Sequence, residues 1–299
     1  MTNAITRVEI KDILVFKGKF EANFCPGVNV FIGGNGSGKT TLLKVLYGLG
    51  TKRLGSDTTA PGMTSYPVEV NKPVVVCGID ESERLAKTVY IPEKDLLSNA
   101  KGIPETAEFG KAEFSSFEID IIKKARVLAA KPEQALFRKI CKIIGGEPET
   151  DGQSFFMKRN DIAERIHFSF EASGYRKFGM LAMLIRNEQI SEGTYLLWDE
   201  PENSLNPELV PVLVDILLEL QRGGVQVFVA THSKMLANEF SISRNNGDDV
   251  KFFSLYKTAG GIINADTDAR FDLLQPNKLT EAAVEQYERE IERGLGGNG

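Results

Sequence analysis

Cysteine is scarce: Cys25, Cys77 and Cys141 are scattered over 299 residues without Cys-x-x-Cys spacing, which argues against both a disulfide framework and a zinc site. The three thiols are expected to be reduced and structural. Histidine is scarcer, with His167 and His232 the only two, so any imidazole chemistry falls to one of them. No apolar run approaches the length of a bilayer span. The opening stretch MTNAITRVEI lacks the basic region, apolar run and small-residue cleavage site of a secretion signal. The expected setting is therefore the cytoplasm, away from any membrane. Positive charge is not in excess either: the formal net charge of -5 gives no global electrostatic reason to expect nucleic acid. Sustained heptads are missing, which excludes long coiled-coil arms.

What is present is an ordinary globular balance, 42% apolar and 26% charged. The length suits a single large α/β unit carrying an inserted lobe. The chain is organised around Gly33-Gly34-Asn35-Gly36-Ser37-Gly38-Lys39-Thr40, which fits a phosphate-binding loop of the form Gly, four residues, Gly-Lys-Thr. Residues 28–32 (VNVFI) before it have the character of a buried strand, and Thr41-Leu42-Leu43-Lys44-Val45-Leu46-Tyr47 after it has helical spacing. Glycines at 33, 34, 36 and 38 let the backbone turn with positive φ and aim several N–H groups at phosphate, at the positive end of the helix that follows. Lys39 is expected to reach the β- and γ-phosphates, and the Thr40 hydroxyl a Mg2+ ion. Asn35, Gly36, Ser37, Gly38 and Thr41 complete the expected cradle.

Elsewhere the patterns predict an N-terminal strand pair turning at Lys17-Gly18-Lys19, a helix from the phosphate loop to Gly48 or Gly50, and a surface loop over residues 51–67. Strands follow at 68–80 and 88–91, then helices at 118–130 and from Pro132 to Gly145-Gly146. Short strands at 154–157 and 166–170 precede an amphipathic helix at 178–190. Beyond it lie buried strands at 195–198 and 225–230, a helix near Pro207 and Pro211 whose start the two prolines leave open, a hairpin around Ala259-Gly260, and a last helix closed by Gly294.

The buried strand Tyr195-Leu196-Leu197-Trp198 runs into Asp199-Glu200. An acidic residue at such a strand end, beside a phosphate loop, can hold the hydration shell of Mg2+, and the next carboxylate can orient or deprotonate an attacking water. Glu93-Lys94-Asp95 sits just beyond another strand, on the edge where open α/β sheets bind ligands. His232 follows the 225–230 strand, placed to hydrogen-bond a γ-phosphate, whereas His167 is read as structural.

The order of these motifs carries a resemblance. Phosphate loop, then Glu171-Ala172-Ser173-Gly174-Tyr175, then Asp199-Glu200-Pro201-Glu202-Asn203-Ser204-Leu205-Asn206-Pro207, then Ala230-Thr231-His232-Ser233 is similar to the ABC-type ATPases grouped with SMC, RecF and OLD proteins. The resemblance covers nearly the whole chain, most weakly in the middle. It implies an α/β P-loop NTPase with an ABC-type mixed sheet, the nucleotide core at 1–95 and 171–299, and an inserted, mainly helical lobe at 96–170. It implies that Ser173 and Gly174 form the signature that contacts ATP held by a second subunit, that residues 203–206 cross the dimer interface, and that His232 is a switch histidine. Glu200 then activates water, with Lys39 and His232 stabilising charge, and ATP and Mg2+ are the ligands. Two departures stand out. Tyr175 replaces the usual second glycine, so that Arg176 or Lys177 would supply part of the trans contact, and no glutamine follows Ile91, so that Glu93, Lys94 or Asp95 would take its place. The implied behaviour is an ATP-dependent homodimer acting as a switch. Alternatives are a transporter subunit, a low-turnover regulator of a separately encoded effector such as a nuclease in antiphage defence, and a DNA-binding repair ATPase.

Overall fold

The computed structural model describes residues 4–51, 74–77, 87–103, 115–127 and 134–296. An antiparallel sheet is built from β1 (Arg7–Ile13), β2 (Phe16–Asn23) and β4 (Val74–Cys77), in the order β2-β1-β4. The central sheet takes β3 (Val28–Ile32), β5 (Thr88–Ile91), β9 (Tyr195–Asp199), β10 (Gln226–Ala230), β11 (Val250–Lys257) and β12 (Ile263–Asp268) in the order β12-β11-β3-β10-β9-β5. β11, β3, β10, β9 and β5 run parallel, and β12 closes one edge antiparallel.

The parallel strands read as unbroken apolar runs because both of their faces are covered. Val28, Val30, Ile32, Leu196, Trp198, Val227 and Val229 enter one core, while Phe31, Tyr195, Leu197, Phe228 and Ala230 enter the other. The second core is capped by α1 (Lys39–Gly50) and the N-terminal hairpin, the first by α4 (Ser173–Arg186), α5 (Val210–Arg222) and α6 (Lys234–Ser243). Burying such side chains on both faces, at about 1.5–3 kcal/mol for each large apolar group, fixes the strand register and hence which loops meet at the carboxyl edge.

Residues 96–170 contain α2 (Ser116–Arg126), α3 (Ala135–Ile144) and an antiparallel sheet of β6 (Gly146–Thr150), β7 (Phe155–Arg159) and β8 (Arg165–His167). A Ser115/Glu118 capping box opens α2, and Gly145 at φ 68 closes α3. Ile121, Ile140, Phe155 and Phe168 join the same core as Val30 and Leu196, so the described part of this segment packs onto the sheet.

Several local expectations are corrected. The first hairpin reverses at Leu14-Val15, before the expected Lys17-Gly18-Lys19: Asp12 and Leu14 have φ 55 and 49, and the Asp12 carboxylate accepts the Gly18 N–H at 2.7 Å. The helix expected at 178–190 begins at Ser173, placing the whole signature segment in its first turn. Pro207 starts a 3-10 turn that ends at Leu209, and Pro211 occupies the first turn of α5, where its missing N–H has no carbonyl to serve. The last helix, α7 (Lys278–Gly296), runs through Gly294. Strand β6 and helix α6 were not anticipated. Residues 52–67, Pro132 and all of the 68–80 strand except Val74–Cys77 lie outside the described residues.

Candidate active site

Four strand ends line one edge of the sheet. Ala230 pairs with Phe31 on one side and with Asp199 on the other, and Ile91 pairs with Trp198. The ladder continues past the strands, with Thr231 N–H on Phe31 O at 2.9 Å and Glu200 N–H on Ala230 O at 2.8 Å. Register alone therefore gathers the loop after β3, Thr231-His232 after β10, Asp199-Glu200 after β9 and Glu93 after β5.

In the phosphate loop the backbone has positive φ at Gly33, Gly36 and Gly38 but not at Gly34. The Lys39 ammonium donates to Gly33 O at 2.8 Å and Gly34 O at 3.2 Å, curling the loop about itself. Asn35 is exposed at the tip, Ser37 and Gly38 are buried, Thr40 is exposed and Thr41 half-buried. Burial draws Lys39 down to about 8, opposed by the charges of Glu200, Asp199 and Glu202. Gly33 has no room for a side chain: at φ +149, an added Cβ would sit 2.2 Å from the Leu255 carbonyl oxygen and 2.7 Å from Ser37 Oγ. Gly33→Ala should cost about 1–3 kcal/mol and displace the loop. Urea unfolding followed by the fluorescence of Trp198, the single tryptophan and fully buried, measures that cost.

Asp199 accepts a hydrogen bond from Tyr90 at 3.2 Å. Burial raises its pKa, and the nearby Thr40 and Tyr90 hydroxyls oppose the rise. Burial also raises Tyr90, which stays a donor. Glu200 holds a left-handed backbone at φ 47, and burial followed by the charges of Glu93, Glu202 and Asp199 pushes its carboxyl up. His232 Nε2 lies 3.2 Å from Glu200 Oε1. Burial and Lys39 push the imidazole down, so it is neutral at neutral pH and has one N–H to give.

Three further groups hold this array, Lys177 among them serving its own chain in place of the trans contact that the resemblance implied. Lys177, buried on α4, donates to the carbonyls of Glu200 at 3.1 Å and Pro201 at 3.2 Å. Glu202, buried enough for its pKa to rise, accepts from the Thr231 hydroxyl, tying the two loops together. Tyr90, on β5, is the third.

The structure thus brings together Lys39, Thr40, Asp199, Glu200 and His232. Ser173 and Gly174 lie instead on the 203–206 loop: Ser173 Oγ donates to Ser204 O at 2.8 Å, and Gly174 abuts Leu205. Arg176 turns inward, its Nε 2.6 Å from Asp95, so its cation, like that of Lys177, is engaged inside the chain. Glu93 accepts from Asn203 Nδ2 at 2.6 Å, facing the acidic cluster, while Asp95 caps the turn at Leu97. His167 pairs with Ser169 and caps a 3-10 turn.

The loop fits a polyphosphate. Ser37 Oγ is buried with no hydrogen-bond partner, and the ammonium and the N-terminus of α1 add positive potential. Thr40 and Asp199 offer two hard oxygen ligands. Mg2+ takes one or two such ligands and completes its shell with phosphate and water.

Comparison with known proteins agrees. A family model described as "AAA domain, putative AbiEii toxin, Type IV TA system" matches residues 74–237, and a second, "AAA domain", matches residues 7–70. The arginine transport ATP-binding protein ArtM of Bacillus subtilis (strain 168) is 24% identical over 211 residues, 70% of each chain. Among solved structures, an SMC head bound to the C-winged helix domain of ScpA superposes with a TM-score of 0.53 at 14% identity, over 88% of this chain and 98% of that one. The SMC head domain from Thermotoga maritima gives 0.50 at 14% identity with the same coverage. These two share the α/β P-loop fold and its mixed sheet. Among the described residues no helix is long and apolar enough to cross a membrane. With its phosphate loop on β3, its acidic pair on β9 and a family match over more than half its length, the chain belongs to this AAA-domain family and is an ATP-binding domain of the ABC type.

Proposed function

We propose that the chain hydrolyses ATP with Mg2+ and uses the cycle as a switch, closing head-to-tail with a second copy around two nucleotides and opening after hydrolysis. The observation that carries the chemical part is the convergence of Lys39, Thr40, Asp199, Glu200 and His232 on one sheet edge. Lys39 and the N–H groups of residues 35–41 bind the phosphates. Thr40 and Asp199 would hold Mg2+, which would supply positive charge against the phosphate oxygens. Glu200 accepts the proton of the attacking water as its oxygen bonds to the γ-phosphorus and the β–γ bridge breaks toward ADP. His232, whose Nε2 lies beside Glu200, turns its single N–H from that carboxylate to the γ-phosphate when nucleotide is bound.

Support for closure comes from the surface made by Ser173, Gly174 and Ser204. Ser173 is the first residue of α4, so the half-buried serine hydroxyl and the N-terminus of a 14-residue helix stand together beside exposed Ser204, the chemistry that receives a phosphate from outside the chain. Lys177 joins this helix to the Glu200 backbone, so a phosphate docked at Ser173 in one subunit bears on that subunit's own catalytic carboxylate. Phosphate release from ATP and Mg2+ tests the enzymatic reading: the wild type should turn over, and Lys39→Ala should lose both turnover and ATP binding. A wild type that binds ATP without releasing phosphate would leave a binding module in place of an enzyme.

A further inference from the structure

Among the described residues, nothing packs on the outer end of α7. From Val284 to Arg293 every residue is exposed, and the described contacts of α7 with the body lie near its start, where Leu279 packs on the core and Asn277 caps the helix. Nearly three turns of helix with no packed face are marginal in water, so a covering surface would stabilise them. Val284, Tyr287 and Ile291, respectively 49%, 63% and 42% exposed, stand at i, i+3 and i+7 and form one apolar stripe. At roughly 100° per residue, Glu281 and Glu288 flank one side of the stripe and Glu290 the other, while Arg289 and Arg293 fall on the opposite face. At the base, an open depression of about 350 Å³, floored by Leu274 and walled by Asp272, Glu281 and Glu285, continues the stripe. Asp272 and Glu281 have exposed pairs, Arg270 and Lys278, which screen little at a solvated surface.

The charge decides the occupant. Two copies of α7 packed stripe to stripe would set glutamates against glutamates on both flanks, which is unfavourable. We propose that α7 is the docking site for a separate protein that presents a basic amphipathic helix, its apolar side chains seated on Val284, Tyr287 and Ile291 and its lysines or arginines facing Glu281, Glu288 and Glu290. This site is distinct from the nucleotide edge and does not depend on the ATPase reading.

The test titrates the full chain, without nucleotide, against two labelled synthetic helices that share a leucine stripe and carry either lysine or glutamate on its flanks, followed by fluorescence anisotropy. The lysine helix should bind in a salt-dependent way, with the glutamate helix about tenfold weaker, a difference of about 1.4 kcal/mol spread over three flanking pairs. Tyr287→Ser with Ile291→Ser should abolish binding, and Glu288→Lys with Glu290→Lys should reverse the preference. All four side chains are exposed, and unchanged ATP binding confirms that the variants are folded. Equal binding of both helices, no binding, or binding that ignores these substitutions would overturn the proposal. So would nucleotide-independent dimers in light scattering that Tyr287→Ser dissolves, since the occupant would then be a second copy.

Discussion

In the Glu200→Gln variant, phosphate release should fall by roughly 10²- to 10⁴-fold, the range for losing a positioned general base, while ATP binding is kept or tightened. Glutamine preserves the shape of a residue held by its N–H on Ala230 O and by Lys177 on its carbonyl, so the loop has no reason to move. It removes the proton acceptor and one of the negative charges around the triphosphate. The pH dependence carries a sign. Glu200 must be ionised to take a proton, and burial with the charges of Glu93, Glu202 and Asp199 raises its pKa, so turnover should fall with decreasing pH at a higher pH than an ordinary glutamate would give. Glu93→Gln removes one of those like charges and should move this acid limb to lower pH. Profiles of kcat against pH for the wild type and the Glu93 variant measure the shift. A limb that stays in place would detach Glu93 from the base.

Lys177→Met should be the most damaging change outside the nucleotide loop. Lys177 lines a cleft with Trp198, Pro201 and Leu205, and methionine offers no donor to the carbonyls of Glu200 and Pro201. Each orphaned buried carbonyl costs about 1–3 kcal/mol, which urea unfolding will show. The left-handed turn at Glu200 loses its clamp, and a carboxylate displaced by a fraction of an ångström can lose about 10²-fold in rate. Because Lys177 does not contact the phosphate loop, KM for ATP should change far less than kcat. A fall in ATP affinity as large as the fall in kcat would make Lys177 a merely structural residue.

These two residues mark what was legible in the chain. Glu200 could be read because its signal is local: four apolar residues and an acidic pair, near in sequence and fixed in space by one strand. The phosphate loop was legible for the same reason, since strand, glycines and helix are contiguous. The partners of Lys177 lie 23 and 24 residues away, and only the packing of α4 over β9 brings them within reach. Strand β6 was hidden by its composition, Gly-Glu-Pro-Glu-Thr, which has no alternation to read. It forms through backbone pairing with β7, and a side chain at Gly146 would meet Lys158 O at 2.8 Å. Helix α6 did carry a signal, since Ser233 caps it by accepting the Leu236 N–H at 3.1 Å and Leu236, Ala237 and Phe240 line its buried face. The motif Ala230-Thr231-His232-Ser233 ends on that cap, and the helix beyond it carries no motif residue.

The switch itself rests on closure over the Ser173 surface, and light scattering of the Glu200→Gln variant with ATP and Mg2+ tests it most directly, with Ser173→Arg added as the control. The expected result is conversion of monomer to dimer by ATP, no conversion by ADP, and loss of the dimer when arginine stands at 173. An oligomeric state indifferent to nucleotide, in a variant shown to bind ATP, would contradict closure and leave the chain a nucleotide-binding subunit whose site is complete without a second copy.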